Sequence, residues 1–225
     1  MKKLSCLFVL FWTCSLAYAM ESQVPIAINR IPLNLAIVLD VSGSMIQSDR
    51  TQKSRLEWSK DMVERMIDHL TDQDVLSIVT FHNDADTLMG GQRVTYKPDI
   101  KNRIRALHPG GTSDLYAGLK RGYDLVSWHC GPNFENRLIL ISDDSNNTGC
   151  PNSDEMLAMI SEFAEKSIGL TTIAVGRDFT EEFIDRVKKS RGGNYILAQS
   201  GQEMMEIIER LDFLVSPLAN NGSGD

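Results

Sequence analysis

The chain has 225 residues, of which 42% are hydrophobic and 24% charged, with only 7 prolines. That length suits an export leader followed by one domain large enough to bury its own core, and the composition excludes long disordered stretches. The formal net charge of -7 opposes binding to nucleic acid or to an anionic membrane surface.

In chain order, the amino terminus comes first. Lys2 and Lys3 precede an apolar run from Leu4 to Leu16, and Ala17-Tyr18-Ala19 places small residues where a signal peptidase reads. Residues 1–19 are therefore expected to be a cleaved signal peptide, and the mature protein to be exported to the periplasm, the cell surface or the medium. The run is shorter than the roughly 20 apolar residues of a membrane span, and no later segment is continuous enough to make one. Cleavage would remove two lysines and no acid, leaving 21 basic residues against 30 acidic ones, a net charge of -9.

Cleavage would also remove Cys6 and Cys14 and leave Cys130 and Cys150 in a compartment that permits oxidation. One disulfide between them is the simplest use, and closing that loop would contribute about 3 kcal/mol. The strand expected between them carries the chain from one end of a sheet to the other, so the flanking loops must fold back to close the bond. Pairing with another chain, or two free thiols, are the alternatives.

After a lead-in over residues 20–32, Leu33 to Leu39 is a continuous apolar run ending at Asp40, as in a strand buried on both faces. Leu56, Met62, Val63, Met66, Ile67 and Leu70 recur at helical spacing, and Val75 to Phe81 reads as a second buried strand. Thr87-Leu88 and Val94-Thr95-Tyr96 flank Gly90-Gly91, which predicts a short edge strand with a turn or bulge. Pro98 opens a brief helix to about Leu107. Gly110-Gly111 breaks the chain, and Thr112-Ser113-Asp114 supplies capping side chains for a helix through Leu115, Leu119, Tyr123 and Val126.

Leu138 to Ile141 is the next strand, ending at Asp143. Ser153 caps a helix through Met156, Leu157, Ile160 and Phe163, and Thr171 to Val175 follows as a strand. Thr180 starts a helix, Tyr195 to Ala198 is a strand, Glu203 to Leu214 a closing helix, and residues 216–225 a tail. Strands alternating with helices imply an α/β domain over residues 33–215, its sheet mostly parallel and covered on both faces.

In such a sheet, ligands gather beyond the carboxyl ends of the strands where the strand order reverses. The first strand delivers Asp40-Val41-Ser42-Gly43-Ser44 there, with a carboxylate and two hydroxyls at alternate positions. Thr112 arrives on a second loop and Asp143 on a third. All are oxygen donors with no thiol or obligatory imidazole among them, so the set suits a hard cation, magnesium before manganese or calcium, and disfavours zinc. His82, Asp84 and Asp86 also follow a strand, but that trio reads as a solvated turn, and Met62, Met66, Met156 and Met159 fit helix cores.

Asp40-Val41-Ser42-Gly43-Ser44-Met45 resembles the metal-ion-dependent adhesion site of von Willebrand factor type A domains. Gly110-Gly111-Thr112-Ser113-Asp114-Leu115 is similar to that family's second loop, and Leu138-Ile139-Leu140-Ile141-Ser142-Asp143 to its third. Thr172-Ile173-Ala174-Val175-Gly176 on a later strand extends the likeness over about Leu33 to Leu214, and Arg30-Ile31-Pro32-Leu33-Asn34-Leu35 is most similar to bacterial surface or periplasmic members.

The resemblance implies a doubly wound six-stranded sheet in the order 3-2-1-4-5-6, with one antiparallel edge strand and helices on both faces. It implies that Ser42, Ser44 and Thr112 ligate a divalent metal through hydroxyls and that Asp40 and Asp143 act directly or through water. It also implies a protein-binding or adhesion module, not an enzyme, whose partner offers an Asp or Glu to complete the metal's shell. One position departs from the family pattern: Asp144 stands where a glycine is usual. A second carboxylate there is expected to strengthen cation binding, to weaken capture of an acidic partner, or to tilt preference toward calcium.

Two other readings compete. A scaffold in an envelope or pilus assembly would use the same fold without the metal chemistry. A phosphatase of the haloacid dehalogenase type would also begin with a carboxylate after its first strand, but Ser42 stands where such an enzyme carries its second aspartate.

Overall fold

The computed structural model describes residues 30–48, 50–144 and 153–209. The expected signal peptide, most of the lead-in, the tail and Cys150 lie outside the described residues. The elements run β1 (Leu33–Asp40), α1 (Arg55–His69), β2 (Val75–Phe81), β3 (Ala85–Arg93), α2 (Lys97–Arg105), α3 (Leu115–Trp128), β4 (Glu135–Asp144), α4 (Ser153–Glu165), β5 (Ile168–Asp178), α5 (Glu181–Lys189), β6 (Asn194–Leu197) and α6 (Gly201–Glu209). They form a six-stranded sheet in the order β3-β2-β1-β4-β5-β6. Only the β2–β3 pair is antiparallel.

The central strand shows why the apolar runs are continuous. Successive side chains of a strand point to opposite faces, and here both faces are covered. Leu33, Leu35, Ile37 and Leu39 pack with Met62 and Met66 of α1, Ile100 and Ile104 of α2 and Met204 of α6. Ala36 and Val38 point the other way, into a layer with Leu119 and Tyr123 of α3, Met156, Met159 and Ile160 of α4 and Phe183 and Val187 of α5. Each such large side chain contributes about 1.5–3 kcal/mol on full burial, and Met62, Met66, Met156 and Met159 serve as core.

Helix starts follow the capping chemistry expected of them. Ser54 accepts from Glu57 N and Glu57 returns a bond to Ser54 N, a reciprocal box that opens α1. Asp114, the last of the three capping residues read from the sequence, accepts from Ala117 N to open α3, and Thr180 accepts from Phe183 N to open α5. Helix α4 instead begins at Ser153 itself.

Strands β4 and β5 are longer than their most apolar segments, because the sheet pairs them from Asn136 with Ile168 to Asp144 with Asp178. At the edge, β3 runs without interruption. Gly90-Gly91 forms the expected bulge: the register slips between Leu76 and Ile78, and Gly91 N donates to Ser77 Oγ at 2.9 Å. Among the described residues no helix is long and apolar enough to cross a membrane.

Candidate metal site

The strand order reverses at β1, whose neighbours are β2 and β4. Beyond the carboxyl ends of β1 and β4 the chain must leave the sheet in opposite directions, which opens a crevice. Asp40 is the last residue of β1, Asp143 the penultimate one of β4. A short 3-10 turn, Gly43–Ile46, follows β1 and lays Ser42 and Ser44 over the rim while its Met45 anchors in the core.

These residues form one hydrogen-bonded chain. Asp40 Oδ1 accepts from Ser42 N at 2.7 Å and Oδ2 from Ser142 Oγ at 2.6 Å. Ser42 Oγ and Ser44 Oγ lie 3.0 Å apart, and Ser44 Oγ donates to Asp143 Oδ1 at 3.0 Å. Asp143 Oδ2 accepts from Arg55 Nη1 at 2.6 Å. Asp40, Ser42 and Asp143 are buried, and Ser44 is half-buried.

The second loop is clasped to the first by its backbone: Gly43 N donates to Gly111 O at 3.0 Å and Gly110 N to Val41 O at 2.8 Å. Thr112, which follows, is exposed, and its N and Oγ1 both donate to Asn83 Oδ1, at 2.7 and 2.9 Å. The structure thus brings Asp40, Ser42, Ser44 and Asp143 into direct contact and sets Thr112 beside them on a neighbouring loop. Gly111 sits at φ +76, a conformation that side chains rarely adopt, and a Cβ there would stand 2.5 Å from Asn83 Oδ1, so glycine suits the turn and spares Asn83 a shift.

Burial pushes the Asp40 carboxyl up to about 6, with a smaller push from the Asp143 charge, against hydrogen bonds from Ser142 and Ser42 that favour its ionised form. The crevice holds two buried acidic side chains, Asp40 and Asp143, with one guanidinium, Arg55, against them. That excess of negative charge among hydroxyl and carboxylate oxygens fits a hard divalent cation. Asp144 is half-buried at the end of β4, with its backbone tied to Ser142 Oγ.

Three residues of this constellation were not singled out from the sequence. Ser142 had a signal, since it directly follows the strand's apolar run Leu138 to Ile141 and ends on the rim beside Asp143. Asn83 and Arg55 had none, because only the tertiary fold carries the β2–β3 turn and the start of α1 to the crevice. His82 and Asp84 form the turn expected of them and Asp86 falls in β3: His82 N donates to Asp84 O at 3.0 Å, and His82 Nε2 stands 3.8 Å from Asp86 Oδ2 at the surface. Cys130 is exposed ahead of β4, and the expected pairing with Cys150 lies outside the described residues.

A fold of this topology with this motif on its switch-point rim defines a class, and the chain belongs to it: it is a member of the von Willebrand factor type A domain family, whose profile matches residues 35–146. The family is one of protein-interaction domains. Among curated proteins, the chain is 25% identical over 176 residues to the uncharacterized protein YfbK of Escherichia coli (strain K12), covering 78% of this chain and 30% of that protein. It is 23% identical over 185 residues to inter-alpha-trypsin inhibitor heavy chain H2 of Homo sapiens, covering 78% of this chain and 19% of that one. The chain therefore spans less than a third of the length of either relative.

Two solved structures illustrate the shared fold. The hypothetical protein BatB from Bacteroides thetaiotaomicron superposes with a TM-score of 0.62 at 19% identity, covering 79% of this chain and 96% of that one. Proximal thread matrix protein 1 from the mussel byssus, with a zinc-occupied metal-ion-dependent adhesion motif, superposes with a TM-score of 0.66 at 19% identity, covering 83% and 48%.

Proposed function

We propose that the domain is a metal-dependent protein-binding module that captures an acidic side chain of a partner, with Asp40, Ser42, Ser44, Thr112 and Asp143 as the cation's ligands. The observation that carries this reading is the single hydrogen-bonded chain from Asp40 through Ser42 and Ser44 to Asp143. It joins residues about a hundred positions apart at the one place where an open α/β sheet receives ligands. When bound, a divalent cation would supply a Lewis-acidic position for a partner carboxylate.

The chain's own part is to hold the donors ready. Burial of Asp40 and Asp143 removes water that would otherwise compete, and the clasp between Gly43 and Gly111 keeps the two hydroxyl loops at a fixed separation. Ordering the ligands before binding lowers the entropy lost on capture. Ser42 Oγ and Ser44 Oγ hydrogen-bond to each other, and Ser44 Oγ donates to Asp143, whose other oxygen is already held by Arg55, an arrangement that favours ligation over activation of a nucleophile. The haloacid dehalogenase alternative would need a carboxylate at Ser42.

Magnesium is the first ion to test, then manganese and calcium. The zinc in the byssus protein's motif adds zinc to the series despite the oxygen-only donor set. Export is part of the same proposal and rests on Lys2, Lys3, the apolar run and Ala17-Tyr18-Ala19. The deciding experiment is thermal unfolding with and without each ion. A chelator-sensitive rise in melting temperature, absent in Asp40→Ala, supports the reading, because a ligand of the folded state stabilises it by mass action. No rise in the parent protein with any of the four ions would overturn it and leave the scaffold role.

A further inference from the structure

Arg55 opens α1, whose start is tied to the rim by the bond from Arg55 N to Gln47 O at 2.9 Å. Its side chain crosses to the far wall of the crevice, where Nη1 donates to Asp143 Oδ2 at 2.6 Å. The other oxygen of that carboxylate accepts from Ser44 Oγ at 3.0 Å. Asp143 is thus shared between a hydroxyl of the candidate metal site and a permanent cation of the chain itself.

This guanidinium is sparsely bonded. The contact with Asp143 is its one side-chain hydrogen bond among the described residues. It also lines a cleft of about 600 Å³ that runs from the rim past Trp58 toward Ser200 and Glu203. A guanidinium offers five N–H donors and never loses its charge under ordinary conditions, so Arg55 can yield Asp143 Oδ2 without being stranded in an apolar wall.

We propose that Arg55 is a tethered counter-cation of the metal site, competing with the divalent ion for Asp143 and fixing the net charge that the ion presents to a partner. The inference rests on the metal-binding reading above. The charge arithmetic explains what such a residue achieves. With Asp40 and Asp143 ionised and Arg55 present, the crevice carries one negative charge, so a divalent ion leaves a surplus of one positive charge to attract a carboxylate. Without Arg55 the filled site is neutral and holds its ion more tightly, but draws an acidic partner less.

The test is manganese titration of the full chain, followed by calorimetry, in the parent, Arg55→Gln and Arg55→Lys. Removing a unit charge this close to the ion is expected to tighten manganese binding at least about tenfold in Arg55→Gln, the lower bound set by water-like screening. Arg55→Lys, which keeps the charge, is expected to stay within about threefold of the parent. A side chain needed only for packing would lower the melting temperatures of metal-free and metal-saturated protein equally and leave manganese affinity unchanged. That outcome overturns the inference while leaving the metal site standing.

If the parent binds none of magnesium, manganese, calcium or zinc, the metal reading and this inference fall together. Should Arg55→Gln fail to fold, nitrogen-15 spectra of the parent's arginine side chains give an independent reading. The Arg55 guanidinium signals are expected to shift when magnesium is added, and signals that do not move refute the competition.

Discussion

Two aspartates mark opposite ends of the β1–β2 pair, and the difference between them separates structure from function in this molecule. Asp74, just before β2, lies about 20 Å from Asp40 at the end of β1, as the strand rise requires. Both are buried. Asp74 accepts from Arg30 Nη1 at 2.9 Å and Nη2 at 2.5 Å, from Leu33 N at 2.8 Å, and from Thr71 N and Oγ1 at 2.7 and 3.0 Å. Burial pushes its carboxyl up, but those hydrogen bonds and the Arg30 charge outweigh it and hold the group below the usual aspartate range.

Asp40 has fewer donors from its own chain, and its carboxyl is pushed up to about 6. A buried acid whose lone pairs are filled internally fastens elements together, as Asp74 ties the lead-in at Arg30 to the start of the sheet. One left short of donors is available to an outside cation.

That contrast breaks most easily at its structural end. Asp74→Asn would leave the Arg30 guanidinium without its charge partner and is expected to cost about 3–5 kcal/mol, read by denaturant unfolding, with or without metal. Asp40→Asn is expected to leave metal-free stability at pH 7 unchanged or higher, since it removes an uncompensated buried charge. It should abolish the metal increment, which is about 2.7 kcal/mol at a hundredfold excess over Kd. If both variants lose stability alike in the absence of metal, Asp40 is structural too and the contrast fails.

pH sharpens the same comparison. The folded Asp40 keeps its proton up to about 6, whereas an ordinary aspartate releases it near 3.8. Its contribution to metal-free stability is therefore fully present below 3.8 and lost as pH rises through 6, by at most about 3 kcal/mol. The Asp74 contribution has the opposite sign: it is present above the ordinary aspartate range and lost as pH falls through its lowered folded value. In the presence of metal, the ion's stabilisation should shrink as pH falls through 6, because protons compete for Asp40. Unfolding curves from about pH 2 to about pH 8, with metal and with chelator, test both signs.

Smaller effects should come from the scaffold of the site. A Cβ on Gly176 would stand 2.2 Å from Asp143 O, so Gly176→Ala must push β5 away from the end of β4. It is expected to cost about 1–3 kcal/mol and to weaken metal binding by displacing Asp143, measured by unfolding and by titration. The smallest change is expected from Asp144→Gly, which removes a nearby charge and should weaken cation affinity by no more than about tenfold. Parallel magnesium and calcium titrations would also reveal any change of preference.

The sequence by itself determined the α/β class, with its sheet covered on both faces, and the oxygen-bearing residues that end its central strands. Continuous apolar runs such as Leu33 to Leu39 occur where a strand is covered on both faces, and the serines and aspartates that follow those runs can only reach the rim of the sheet. The tertiary structure alone decided what stands behind the donors: Arg55 on Asp143, Asn83 under Thr112, and five hydrogen bonds on Asp74 against two on Asp40. Local patterning records which face of an element is apolar. The charge state of a buried acid depends on groups that meet only after the chain has folded, and their separation along the sequence leaves no period to read.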